Sequence, residues 1–254
     1  MPERMTEDDW CALLPELSIG AGGEVKEIPF DPDQLSPLSR SLWEKGYIAV
    51  PPVFSEDELR PLRQGMLRLS EATIPPVYIY LYDQPWQLFA RLGEMLRHFL
   101  GEEYAILPNL WAWHLSKAGE TGWPLHRDCN AETVFGEGED AILMSLSLWL
   151  PLTDVDESNG CMYVQPKNER TETPLPAKAG SVLGWRQDLY HRGGTYGDNA
   201  RNPRMSLSFE FQNCAFDPLA EPLIDPRRLP DFLQRLNIIQ AQFAKYRHID
   251  PALA

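Results

Sequence analysis

Positive charge is scarce in this sequence. Its 254 residues carry 23 Lys and Arg against 37 Asp and Glu, a formal net charge of −14. Nucleic acid is a poor partner for such a chain, because phosphate contacts need clustered Lys and Arg. Anionic membrane surfaces are disfavoured for the same reason, and a large polyanionic substrate would need a local basic pocket working against the global field. Cysteine is sparse too. Cys11, Cys129, Cys161 and Cys214 include no CxxC pair, which argues against a thiolate zinc site. No stretch reads as a signal peptide or a transmembrane run, and the opening MPERMTEDDW is polar and acidic. The expectation is a cytoplasmic chain with reduced thiols. Internal repeats and long low-complexity linkers are also missing.

What is present is enough apolar sequence to bury a sizeable core. Residues 1–31 read as an irregular leader and 32–100 as mostly helical support. A strand is expected over Tyr47–Val50. Ser55 followed by Glu58 is a capping box, with Phe54 and Leu59 placed as its hydrophobic staple, for a helix running to about Leu69. VYIYLY alternates Tyr78, Tyr80 and Tyr82 as a strand would, and PWQLFARLGEMLRHFL has one apolar helical stripe. From about Tyr104 the period becomes alternating. AILP, LWAWHL, AILMSLSLWLPL, CMYVQP, SVLGW and MSLSFEF read as six β segments, with Asn159-Gly160 as a turn. A last helix is expected over about Asp231–Tyr246, within a C-terminal helix and tail at 226–254. Helices first and antiparallel strands after imply one mainly β domain over 1–254. Its core would be a β-sandwich or jelly roll at 104–213, with helices packed outside.

The chemistry-bearing stretch is GWPLHRDCN, residues 122–130. On a strand, His126 and Asp128 project from one face and can reach one cation. An imidazole and a carboxylate suit Fe(II), Mn(II) or Zn(II), and a facial triad needs a third ligand. His98, near a helix C-terminus, reads as a dipole contact, and His114 as a partnered core histidine. His248 and Asp250 form a second His-x-Asp pair, read as a solvated tail. His191 lies after a strand and before a Gly-rich turn, where a ring nitrogen is free to point inward, and is taken as the third ligand. Thirteen residues on, Arg204 opens an alternating strand and offers a planar fork for a carboxylate. Either it faces inward and holds a chelating 2-oxo acid, or it faces outward in a salt bridge, for example to Glu210.

EKGYIAVPPVFSEDELRPLR, PLHRD, SLWLPLTDVDESNGCMYVQP, AGSVLGWRQDLYHRGG and RMSLSFEF together resemble the phytanoyl-CoA dioxygenase family of Fe(II)/2-oxoglutarate oxygenases, from about Leu38 to Gln212. The resemblance implies a double-stranded β-helix (a cupin-like jelly roll) with flanking α-helices. It implies His126, Asp128 and His191 as iron ligands, with no catalytic residue beyond the metal site, and Arg204 as the clamp on 2-oxoglutarate. Arg201 is a rival in a polar loop. Trp149, Trp113 and Lys117 would border the 2-oxoglutarate pocket; each tryptophan can equally be core and the lysine surface. Two departures stand out. Gln165-Pro166-Lys167-Asn168 replaces a Pro-Gly-Ser-His type sequence, and Gly193 stands where a small hydroxyl residue is common. A carboxylate at Asp128 argues against the halogenating relatives.

The implied activity uses Fe(II), 2-oxoglutarate and O2 to hydroxylate an unactivated C–H of a small polar metabolite or natural-product intermediate, releasing succinate and CO2. Arg186, Arg192, Tyr80 and Tyr82 are candidate substrate contacts. An acidic loop holding Glu132, Glu137, Glu139 and Asp140 either favours an amine-bearing substrate or is simply solvated. The alternatives are a jelly-roll binding or regulatory protein with a vestigial metal site, and a His2Asp zinc hydrolase, which would leave Arg204 without a role.

Overall fold

The computed structural model describes residues 2–20, 25–136 and 141–246. A five-stranded antiparallel sheet is ordered β1 (Tyr47–Val50), β8 (Val182–Arg186), β5 (Ser145–Pro151), β10 (Arg204–Asn213), β2 (Tyr104–Leu115). A three-stranded sheet is ordered β7 (Thr173–Leu175), β6 (Met162–Val164), β9 (His191–Gly193), and β3 (Val134–Phe135) pairs with β4 (Ile142–Leu143). Residues 121–126 run beside the free edge of β9, through bridges Thr121↔Thr195 and His126↔His191. The result is a two-sheet jelly roll with open sheets rather than a closed barrel.

Alternation gives the large sheet two unlike faces. On β10, Met205, Leu207, Phe209 and Phe211 join the main apolar core with Leu146, Leu148 and Leu150 of β5. Trp149, Leu183 and Trp185 point to the other face and pack with Met162, Val164 and Leu175 of the small sheet. Arg204, Ser206, Ser208 and Glu210 share that second parity on β10. The polar row thus lies between the sheets, where the site is.

Helices cover the first face. They are α1 (Glu7–Leu13), α2 (Pro32–Lys45), α3 (Glu56–Glu71), α4 (Asp83–Ala90), α5 (Gly93–Leu100) and α6 (Phe232–Tyr246). The capping box on α3 forms as read, with both Ser55 and Glu58 engaged. Phe209 anchors the layer through edge and tilted contacts to Tyr80, Trp86 and Phe89, at centroid distances of 4.8, 4.9 and 4.7 Å. Among the described residues no helix is long and apolar enough to cross a membrane.

Three local expectations are corrected. Pro76–Leu81 is a 3-10 helix and not a strand. Pro75 and Pro76 preset its first turn, and its side chains are buried all round, so the tyrosine alternation marked no sheet face. The helix expected over residues 85–100 breaks at Arg91-Leu92 into α4 and α5. The leader is not irregular throughout: Thr6 and Asp9 cap α1, and fully buried Trp10 stacks on Tyr78 at 5.3 Å. His248, Asp250, Glu137, Glu139 and Asp140 lie outside the described residues.

Candidate metal centre

His126 and His191 come together through the backbone. Each donates its N–H to the other's carbonyl, at 3.0 and 2.9 Å. Two reciprocal bonds make a closely held antiparallel pair. The ring centroids sit 4.3 Å apart. Asp128 Oδ1 lies 3.5 Å from His126 Nε2 and 3.6 Å from His191 Nε2. One ligand atom from each of the three residues falls within 4.8 Å of the others, close enough to share a single ion.

The surrounding contacts orient all three. His126 Nδ1 is 2.7 Å from the carbonyl of Pro124, and His191 Nδ1 is 3.0 Å from that of Leu189. A carbonyl only accepts, so each Nδ1 carries the proton and each Nε2 presents its lone pair. Asp128 Oδ2 accepts from Ser147 Oγ at 2.6 Å and from Trp185 Nε1 at 3.3 Å, leaving Oδ1 toward the imidazoles. Burial pushes the Asp128 carboxyl up, but His191, His126 and Ser147 outweigh it and hold the group well below the usual carboxylate range. Burial pushes the His191 imidazole down, which favours its neutral, ligating form.

A narrow cavity of about 50 Å³ runs from the triad to Arg204. Arg204 is fully buried. Its Nη1 donates to the carbonyl of Gly160 at 2.7 Å, just past the Asn159-Gly160 turn. Trp113 and Trp149 flank the guanidinium, each with its ring centroid 5.5 Å away. No carboxylate pairs with it among the described residues, and burial pushes its pKa down to about 10. The outward bridge to Glu210 does not form: Glu210 Oε2 accepts instead from Asn109 Nδ2 at 2.6 Å and Gln187 Nε2 at 2.9 Å. Arg204 Nε, Trp149 Nε1 and Trp123 Nε1 are buried donors without acceptors among the described residues, and all three residues wall this cavity. A donor-rich pocket whose buried arginine has no carboxylate partner among the described residues, beside three residues placed to share a metal ion, fits an acidic chelator.

Gly193 also has its reason here. A Cβ on it would stand 2.6 Å from Gly122 Cα and 3.0 Å from Arg204 Nη1. The two chains approach too closely for the hydroxyl side chain common at this place in the resembled family.

Other candidates lie elsewhere. Tyr80 and Tyr82 are fully buried in the helical layer, donating to the carbonyls of Ser208 at 2.9 Å and Trp10 at 2.7 Å. Arg186 is held by Asp188 through two hydrogen bonds, at 3.0 and 2.7 Å. Arg192 is taken by Glu172 at 2.9 Å and lies over the Tyr163 ring. Lys117 and Arg201 are exposed and do not line this cavity. His98 bonds Ser39 at 2.7 Å. Sequence reasoning missed Ser147, Trp185, Asn109, Glu210 and Tyr246, the last contributed by α6 and packed 4.1 Å from Trp123. The available signal was polar residues at inward parity within apolar strands.

No family model matches the sequence, and no curated protein matches it. Solved structures do match. ThoJ, a non-heme monooxygenase in a nickel complex, is 15% identical, with 85% of this chain and 100% of that chain covered at a TM-score of 0.61. HygX from Streptomyces hygroscopicus, with nickel and 2-oxoglutarate bound, is 14% identical over 74% of this chain and 88% of its own, at 0.54. SnoN, an epimerase in complex with Fe3+, alpha ketoglutarate and nogalamycin RO, is 18% identical over 79% of this chain and 96% of its own, at 0.53. At these identities the likeness is one of fold.

Proposed function

We propose that this protein is a non-haem Fe(II)/2-oxoglutarate-dependent oxygenase, most akin in its motifs to the phytanoyl-CoA dioxygenase family, which hydroxylates a small polar substrate. The observation that carries the reading is Arg204: a fully buried guanidinium without an anion, opening onto the same cavity as His126, Asp128 and His191. Burying an uncompensated cation is costly, so a site that keeps one is built for an anionic ligand. The neighbours support the same class, since SnoN and HygX hold 2-oxoglutarate with a metal on this fold. The zinc-hydrolase alternative leaves Arg204 unexplained.

On this reading the Nε2 atoms of His126 and His191 and Oδ1 of Asp128 would hold the metal. Arg204 binds the far carboxylate of 2-oxoglutarate, with Trp113 and Trp149 fixing the guanidinium plane. Ser147 and Trp185 keep Asp128 from rotating. The tryptophan walls exclude bulk water, which strengthens each of these charge contacts. When bound, ferrous iron with 2-oxoglutarate and O2 supplies the oxidising power for C–H hydroxylation, with succinate and CO2 released.

The test is anaerobic addition of Fe(II) and 2-oxoglutarate. A weak visible metal-to-ligand charge-transfer band is expected, and His126→Ala should abolish it. A well-folded wild-type sample without the band would overturn the reading.

A further inference from the structure

Beside the narrow cavity lies a wide cleft of about 970 Å³, and Asp128, Asn109 and Glu210 line both spaces. The cleft is bounded by the segment 219–225 and by one face of α6. Of the triad Asp128 lines it, and Arg204 does not. Along β10 Arg204 and Glu210 are six positions apart, roughly 20 Å at the rise of an extended strand.

Glu210 occupies the junction. It sits where the β10–β2 ladder shifts register, between Phe209↔Leu110 and Phe211↔Ile106. Such an irregularity re-aims a side chain within a sheet. One of its oxygens is committed: Oε2 accepts from Asn109 and Gln187, both of them buried. Among the described residues no donor reaches the other oxygen, Oε1, and none reaches Gln187 Oε1. Lys245 Nζ donates to Asn109 Oδ1 at 2.6 Å and makes no hydrogen bond to Glu210, although its charge acts on that carboxylate. The cleft therefore presents acceptor oxygens that no described residue engages.

We propose that Glu210, held by Asn109 and Gln187, is the specificity-determining carboxylate that receives the ammonium group of an amine-bearing substrate entering through this cleft. Charge favours an ammonium over a neutral hydroxyl. Asp128, Glu210, Glu221 and Asp225 line the cleft against Arg228 and Lys245, within a chain of net charge −14. A dianionic keto acid on a divalent metal adds no net charge and Arg204 adds a single positive one, so the neighbourhood stays negative. Leu219, Leu223, Ile224 and Ile238 give the cleft an apolar wall for the body of the molecule. The orientation of that body toward the metal rests on the oxygenase reading.

The experiment compares n-hexylamine, 1-hexanol and hexanoate as probes, titrated calorimetrically into the protein loaded with Fe(II) and 2-oxoglutarate without oxygen. Wild type should bind the amine at least about tenfold more tightly than the alcohol, and hexanoate least. Glu210→Gln should erase the amine preference while keeping the charge-transfer band. Equal binding of amine and alcohol by wild type, no binding of the amine, preference for hexanoate, or a preference retained in Glu210→Gln would each overturn the proposal. The wild-type comparison needs no variant to fold. Loss of the band with amine selectivity intact would sink the oxygenase reading alone.

Discussion

Ser147 donates its hydroxyl hydrogen to Asp128 Oδ2 across 2.6 Å, so the carboxylate of the triad is oriented from β5 and not from its own loop. Partners of this kind behind a metal ligand set its basicity and rotamer. Ser147→Ala should weaken metal binding by about 10- to 100-fold. Trp185 Nε1 still reaches Asp128, so binding should persist. Anaerobic Co(II) titration reads this directly. Affinity equal to wild type would mean that the hydrogen bond does not govern the ligand.

Arg204→Met separates binding from folding. The variant loses a hydrogen bond to Gly160 and contacts to two indole rings, but it also removes a charge buried without an anion. These effects oppose each other, so stability without ligand should stay within about 1 kcal/mol of wild type. A ligand that binds only the native state raises the melting temperature by mass action. 2-Oxoglutarate with metal should raise it in wild type and not in the variant. An equal rise in both would remove Arg204 from the keto-acid site.

The leader is fastened by charge. Arg97 grips both oxygens of Glu27, at 2.9 and 2.5 Å, and Ile28 N–H bonds the carbonyl of Arg91 at 2.8 Å. The hydrogen bonds from Arg97 hold the Glu27 carboxyl below its ordinary range, with burial opposing. A depressed carboxyl contributes stability above its unfolded pKa of about 4.3 and loses it as pH falls through the folded value. Glu27→Gln should therefore melt below wild type at neutral pH, and the gap should close below about pH 4. A gap that is constant with pH would point to lost packing instead.

The meeting of His126, Asp128 and His191 and the burial of Arg204 beside them were legible because their cues are local: a His-x-Asp spacing, a histidine at a strand edge, an arginine opening an alternating strand. What places Ser147 and Glu210 is pairing between strands, which alternation alone does not show. Glu210 shares Arg204's parity on β10, so its inward side was readable once Arg204 was known to face inward. Its partners were not, since Gln187 and Asn109 come from distant segments. Tyr80 and Tyr82 misled for the opposite reason. Burial on every side imitates alternation when every second residue is aromatic, and Pro75-Pro76 was the overriding signal.

Gly193 tests how tightly the site is built. Its Cα faces Gly122 Cα where residues 121–126 pass beside β9, and a Cβ there would lie 2.6 Å from that backbone atom. On its other side Gly193 pairs with Met162 of β6, so it cannot retreat without breaking a ladder. Gly193→Ser should cost about 1–3 kcal/mol, as overpacking does. The loss should not fall on stability alone. The added atom would also press on Arg204 Nη1, 3.0 Å away, and would push apart the two chain segments that carry His126 and His191. Keto-acid affinity in the folded fraction should drop by more than stability explains, whereas a serine acting as a further hydrogen-bond donor to the ligand would raise it. Denaturant unfolding alongside 2-oxoglutarate titration of the metal-loaded protein distinguishes the two.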